Sequence, residues 1–352
     1  MKIIIDDATR AALDLDRAAL AGDASPAARA RAAEMRAERE RCAWLDDVPV
    51  VPQKSEAWLL RRHGMVTASD LGQALGQGHY GTAEQLLRAK VAPPSFLPSR
   101  KGGPLDWGTR YEDVAMRCYL RRTPGGGARE YGLIPHRGLA FFGASPDGVR
   151  ADSHVMVEIK SPMRRVIDGS VLEQYALQVQ GQLETCDLHH ADFVEAGLDE
   201  FRGRDAYLRA ASGDEDHGAV VRRPEAAADR GGGTFLYSPE GLDAEAVVAW
   251  VDALPDADVE DVYYWRLHTL HIKRITRDRA MWDGDILPRL SAFWAGVEAE
   301  KAQLADAPAP APATATATAP APAPARTRTR TRTRTRVRVR VRMELADAHA
   351  SN

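Results

Sequence analysis

The stretch GASPDGVRADSHVMVEIKSP, residues 143–162, constrains this chain more than any other. Its run 155–160 reads as a strand, and residues two apart on a strand point to the same face. Glu158 and Lys160 therefore project together while Val157 and Ile159 pack behind them. The turn Ser145-Pro146-Asp147-Gly148 closes the preceding apolar run, 139–142. If the two runs pair as a hairpin, Asp147 comes close to Glu158, and two carboxylates and an ammonium converge. That set suits a hard divalent cation of the kind that stabilises the charge of a phosphoryl displacement. The same residues also fit a plain hairpin with an Asp-Gly turn and a solvated Glu/Lys face. The rest of the chain has to decide between the two.

At 352 residues, the chain has room for one large domain or two small ones. Its 44% apolar and 28% charged residues are those of a globular protein. No apolar run is long enough to span a bilayer. The N-terminus, MKIIIDDATR, is acidic too early for a secretory signal. Cys42, Cys118 and Cys186 lie far apart with no CxxC pair. This spacing argues for a reducing compartment and against a disulfide framework, an iron–sulfur cluster or a zinc knuckle. A soluble, intracellular protein is expected, in cytoplasm or nucleus.

The net charge of -3 hides an asymmetry. From Arg326 onward nine Arg face Glu344 and Asp347, a balance of about +7, so the remainder carries about -10. A body that acidic binds nucleic acid only through a local basic groove.

Residues 1–53 are expected to form a helical N-terminal arm, with two helices broken at Gly22-Asp23 and Ser25-Pro26 opening the second. A helix is expected over 56–63. Ser69 is expected to cap a short helix starting at Asp70, and Thr82 with Gln85 forms a capping-box pattern. Arg61 and Arg62 precede the Ser69 cap, and a helix N-terminus with a hydroxyl and a guanidinium suits a phosphate. The same pattern also fits an ordinary capped helix. A Pro/Gly/Ser-rich loop is expected over 92–106. Beyond it, Glu112 has two readings. It completes a Thr-x-x-Glu capping box with Thr109, or it is a third carboxylate facing a metal.

Strands are expected around 130–134 and 138–143, then in 155–160. In VLEQYALQVQGQLETC, Leu172, Tyr175, Val179 and Leu183 form an apolar stripe at helical spacing, and Gln174, Gln178 and Gln182 a second row. That row is either a solvated face or one that brings Gln178 to a reacting water or phosphate. A strand follows at 191–196. Residues 197–260, rich in Gly and mixed charge, are expected to be largely an insertion or surface loop, with a helix over 240–254. One or two strands are expected in 262–275. An amphipathic helix over 277–304, interrupted near Gly284 or Pro288, would close a domain spanning 54–305. Residues 306–352, Ala/Pro and then Arg repeats, are expected to be a disordered tail. The Arg repeat either adds non-specific phosphate contacts or is a product of repeat expansion. No GxxxxGK[ST] pattern occurs, so no ATP motor is expected.

Several patterns fall into one order. Trp58…Arg62-His63-Gly64-Met65-Val66-Thr67-Ala68-Ser69 precedes Trp107-Gly108…Tyr111-Glu112. Ser145-Pro146-Asp147-Gly148, Glu158-Ile159-Lys160-Ser161-Pro162 and Tyr175…Gln178-Val179-Gln180 follow. This order resembles the lambda exonuclease / YqaJ-like viral recombinase family of PD-(D/E)xK nucleases, over roughly residues 54–194. The resemblance implies an α/β fold with a restriction-endonuclease-like core, a central mixed sheet flanked by helices. It implies that Asp147, Glu158 and the Ile159 carbonyl ligate a metal, with Glu112 near a second metal position. Lys160 would orient or deprotonate the attacking water, and Gln178 would position that water or the scissile phosphate. Arg62, Ser69 and Ser145 match positions that grip a 5′-terminal phosphate. Arg164 and Arg165 are candidates for a further basic residue, but neither aligns cleanly.

The function expected is a Mg²⁺-dependent DNA exonuclease, with two ions and Mn²⁺ as a substitute, digesting double-stranded ends 5′→3′ in recombination or end processing. The alternatives are an endonuclease on the same core and an inactive module that binds DNA ends. A single-strand-annealing protein and a homo-oligomeric ring are the partners the resemblance implies.

Overall fold

The computed structural model describes residues 1–51, 55–79, 81–94, 101–211, 216–225 and 234–306. The tail repeats of 307–352, expected to be disordered, lie outside them. The alternating aromatic and polar residues near the end of the body form one long strand rather than two, Asp261–Thr276, and the main sheet is laid around it.

The N-terminal arm begins with a strand, β1 (Lys2–Ile4), and continues as two helices, α1 (Asp7–Leu20) and α2 (Pro26–Cys42). Asp6 caps α1 by accepting from Thr9 N at 2.7 Å, and Ser25 caps α2 with Pro26 in its first turn. Next come α3 (Glu56–His63), β2 (Val66–Thr67), α4 (Leu71–Ala74) and α5 (Ala83–Val91). The capping box of Thr82 and Gln85 opens α5 as expected.

The long helix α6 (Pro104–Leu120) starts earlier than its Thr-x-x-Glu pattern suggests. Gly103 is its N-cap and Pro104 opens its first turn, so Thr109 and Glu112 lie inside the helix. The capping-box explanation of Glu112 is therefore withdrawn. The end of the loop expected over 92–106 is helical for the same reason.

Short strands follow: β3 (Ala128–Arg129), β4 (Ile134–Pro135), β5 (Phe142–Ala144), β6 (Gly148–Arg150) and β7 (Met156–Lys160). Helix α7 (Glu173–Cys186) then leads to β8 (His190–Phe201). After it come α8 (Arg204–Ala210), β9 (His217–Arg222), β10 (Phe235–Tyr237) and α9 (Ala244–Asp252). Residues 197–239 thus hold ordered elements where a loop was expected, while the helix expected over 240–254 forms at Ala244–Asp252. Their mixed-charge composition hides an apolar set, Tyr207, Ala219, Val221, Val247, Val248 and Val251, that packs with Tyr264. β11 is Asp261–Thr276, and the last helix, α10 (Leu287–Asp306), follows a wider π-type turn at Trp282–Ile286, where an interruption was expected.

The main sheet runs β10-β9-β11-β8-β7-β6-β3, with β1 added in parallel to β11, and a second sheet runs β2-β5-β4. β6 and β7 are antiparallel, α7 crosses over, and β8 returns parallel to β7. With α6 on one face and α7 on the other, this is the α/β restriction-endonuclease-like core expected, a mixed sheet flanked by helices. Val157 and Ile159 pack toward α6 with Tyr111, Val114 and Ala115, whereas Met156 packs toward α7 with Val179 and Leu183. The period of two along β7 therefore turns Glu158 and Lys160 toward α7. No helix among the described residues is long and apolar enough to cross a membrane.

Candidate active site

The expected hairpin forms, but with a different first strand. Gly148↔Val157 and Val149↔Met156 pair β6 with β7, while β5, from the run 139–142 onward, belongs to the second sheet. The SPDG turn is what switches the chain between the sheets. A Cβ on Gly148 would lie 2.9 Å from Ala128 Cβ and 3.3 Å from Met116 Cε, so β3 and α6 close over this position. Asp147, just ahead, is carried to the end of β7, where its Oδ2 accepts from Ile159 N at 2.6 Å. The expected convergence of Asp147 with Glu158 and Lys160 is thus present.

Glu158 is the hub. It is only 1% exposed, and burying a carboxylate costs heavily unless it is paired and hydrogen-bonded. Its Oε1 accepts from Lys160 Nζ and from Gln178 Nε2, the latter at 2.5 Å, and its Oε2 accepts from Gln182 Nε2 at 2.6 Å. The glutamine row of α7 is therefore buried against the sheet and not a solvated face. Gly181 lets α7 also sit close against α4 and β5. A Cβ there would meet Leu71 Cδ1 at 2.5 Å and Phe142 Cζ at 3.1 Å. Gln182 is the residue whose role the sequence reading missed, although its i+4 spacing from Gln178 was the available signal.

The electrostatics are unbalanced. Burial, then the charges of Glu158 and Glu112, push the Asp147 carboxyl well above its usual range, against the opposing pull of Lys160 and the Ile159 amide. Burial works against the Lys160 ammonium, but Glu158 and Asp147 outweigh it and hold its pKa above the ordinary value. Lys160 is thus a fixed positive charge in this arrangement. Glu112, half-buried on α6, is close enough for its charge to act on Asp147. Among the described residues no group of three or more His, Cys, Asp or Glu forms a ready-made metal cage. Mg²⁺ does not require one, because it keeps several waters and binds through one or two carboxylates. The Asp147 and Glu158 carboxylates beside one ammonium fit such a cation.

The residues expected to hold a phosphate gather beside this cluster. Arg62 Nη2 donates to Ser69 Oγ at 2.7 Å, and Ser69 Oγ lies 3.0 Å from Thr67 Oγ1. Trp58 joins them to the SPDG turn. Its Nε1 donates to Ser145 Oγ at 3.3 Å, and its ring lies 4.4 Å below the Arg62 guanidinium. Burial lowers the Arg62 pKa, while Asp70 and Glu158 pull it back, so the field of the carboxylate cluster reaches this group. One expectation is corrected. Ser69 does not cap the short helix. Asp70 stands at the N-cap of α4, and Thr67, in a box with Asp70, opens the 3₁₀ turn at Ala68–Asp70 that precedes it. The Ser69 side chain is left exposed with its hydroxyl on Arg62.

Of the two basic candidates after β7, Arg165 pairs with the fully buried Glu195 of β8, which lies in register with Lys160 and also holds His271 Nδ1 at 3.0 Å. Arg164 is exposed.

The fold and this site together define an α/β protein whose acidic, lysine-bearing hairpin is suited to a divalent cation. Residues 57–189 match the YqaJ-like viral recombinase domain, the family that the motifs resemble. The chain is 24% identical over 292 residues to an uncharacterized protein of Acanthamoeba polyphaga mimivirus, covering 70% of this chain and 52% of that protein. It thus spans about half the length of the curated relative it matches. An alkaline exonuclease (LHK-Exo) from Laribacter hongkongensis is 24% identical with a TM-score of 0.44, covering 71% of this chain and 96% of that one. A phage-related exonuclease from Haemophilus somnus is 11% identical with a TM-score of 0.36, covering 68% and 95%. The functional reading rests on the side chains rather than on these superpositions.

Proposed function

We propose that this chain is a metal-dependent deoxyribonuclease that hydrolyses phosphodiester bonds from double-stranded DNA ends, 5′→3′, in recombination or end processing. The observation that carries the reading is the meeting of Asp147, Glu158, Lys160 and Gln178 at one end of a hairpin, with Arg62, Ser69 and Ser145 alongside. Asp147, Glu158 and the Ile159 carbonyl would hold Mg²⁺ or Mn²⁺, with Glu112 toward a second ion. When bound, such ions neutralise charge on the attacking and leaving oxygens.

The chain's own groups supply the rest. Lys160 would orient or deprotonate the attacking water and offset negative charge. Gln178 keeps its amide on Glu158, where it steadies the carboxylate and borders the reacting phosphate. Arg62 and the hydroxyls of Ser69 and Ser145 offer donors to a terminal phosphate, which selects an end over an internal bond. A single-strand-annealing protein, and a ring of subunits around the duplex, are the assemblies this reading implies.

The test is linear duplex DNA labelled at one 5′ end, incubated with wild type or Lys160→Ala, in Mg²⁺ or EDTA. Mg²⁺-dependent release of labelled nucleotides by wild type alone is expected. Equal digestion by both proteins would reject the site, and binding without digestion by wild type would reject the enzyme.

A further inference from the structure

Gln182 has a geometry that its place on α7 does not require. It is 1% exposed, so it cannot touch a substrate, and its Nε2 donates to Glu158 Oε2 at 2.6 Å. A carboxylate only accepts, so chemistry fixes which end of the amide faces Glu158. Gln182 Oε1 is buried with no hydrogen-bond partner among the described residues. Burial of this amide is therefore offset by its bond to Glu158 and little else.

The two oxygens of Glu158 are also unequal. Oε1 receives both Lys160 Nζ and Gln178 Nε2, whereas Oε2 receives Gln182 Nε2 alone. Each carboxylate oxygen has about two lone-pair sites, so Oε1 is filled and Oε2 keeps one.

We infer that Gln182 is a positioning residue that locks the Glu158 carboxylate in the orientation in which it ligates a divalent cation. The inference rests on the metal-dependent reading above. Gln178 and Lys160 hold one oxygen, and a carboxylate held at one oxygen still pivots about that point. Gln182, one helical turn further along α7, removes the pivot.

Removing an outer partner of a metal ligand weakens metal affinity by about 10–100-fold. The test is calorimetric titration of Mn²⁺ into metal-free, full-length protein: wild type, Gln182→Met, which keeps the length without the donor, and Gln182→Asn, which keeps the amide but falls short. A rise in Kd of about tenfold or more is expected in each variant that melts cooperatively in EDTA. Gln182→Asn carries the test if Gln182→Met does not fold. A merely structural glutamine would lower the melting temperature and leave the Kd unchanged, and that result would overturn the inference. Absence of Mn²⁺ uptake by wild type would overturn the metal-dependent reading, and the inference with it.

Discussion

Two buried charge clusters sit on the same sheet, and they are built to opposite rules. Around Arg274 of β11 the charges balance. Arg274 Nε donates to Asp192 Oδ1 at 2.6 Å and its Nη2 to Asp16 Oδ2 at 2.9 Å, while Arg31 Nε donates to Asp16 Oδ1 at 2.7 Å. Tyr119 adds a hydroxyl to Asp192 at 2.6 Å. Two guanidiniums meet two carboxylates, and Asp192 and Asp16 hold the Arg274 pKa above its usual value despite burial. This cluster clamps the N-terminal arm to the sheet. Around Glu158 the carboxylates of Asp147 and Glu158 share the Lys160 ammonium, and burial with the charges of Glu158 and Glu112 makes Asp147 resist ionisation. In the first network each carboxylate has a guanidinium partner; in the second two carboxylates share one ammonium. Both are buried, so the distinction lies in the sum of charge.

The largest expected effect separates activity from stability at the unbalanced cluster. Asp147→Asn should lower the rate of DNA digestion by about 10³-fold. Because ionised Asp147 is disfavoured in the fold, the same change should raise the melting temperature measured in EDTA. A fall in that temperature would remove the contrast between the clusters. At the balanced cluster, Asp192→Asn leaves Arg274 without its charge partner. A loss of about 3–5 kcal/mol in chemical denaturation is expected, with specific activity retained by the folded fraction.

A smaller effect concerns the phosphate-facing residues. Arg62→Ala removes a charge-assisted donor, so it should reduce digestion of 5′-phosphorylated ends by about 10–100-fold relative to 5′-hydroxyl ends. Equal loss on both ends would mean that Arg62 supports the fold instead.

The smallest effect is a pH dependence near the balanced cluster. Burial, then the nearby Arg31 and Arg274 charges, lowers the His190 pKa from 6.5 to about 4. The unfolded chain thus takes up a proton near pH 6.5 that the folded protein refuses until about pH 4. Stability from this group is complete above that window and is lost as pH falls through it. His190→Gln should flatten the fall in melting temperature between pH 7 and pH 5, and an unchanged slope would assign the acid sensitivity to other buried imidazoles.

Much of the site was legible because its spacing is local. Glu158 and Lys160 share a face by the period of a strand, and the Asp147 turn lies a few residues upstream. Gln178 stood out within a helical row. The hairpin partner was misread because the apolar run 139–142 and the strand Gly148–Arg150 are separated only by the SPDG turn, and nothing local says that the chain changes sheets there. The elements of residues 197–239 were missed because their apolar residues are spread among charges and join only when β9, α9 and β11 meet. Ser69 lost its expected cap role because a 3₁₀ turn, opened by Thr67, intervenes before α4.

The amino-acid sequence by itself determined the alternation along β7, the helical faces of α6 and α7 and the types of side chain at the site, since these depend on neighbours within a few residues. Only the tertiary structure decided that both oxygens of Glu158 are held, that Trp58 joins Arg62 to Ser145, and that one charge cluster balances while the other does not. Those outcomes depend on which distant segments meet out of water, where an unpaired charge is costly and its partners come from other strands and helices.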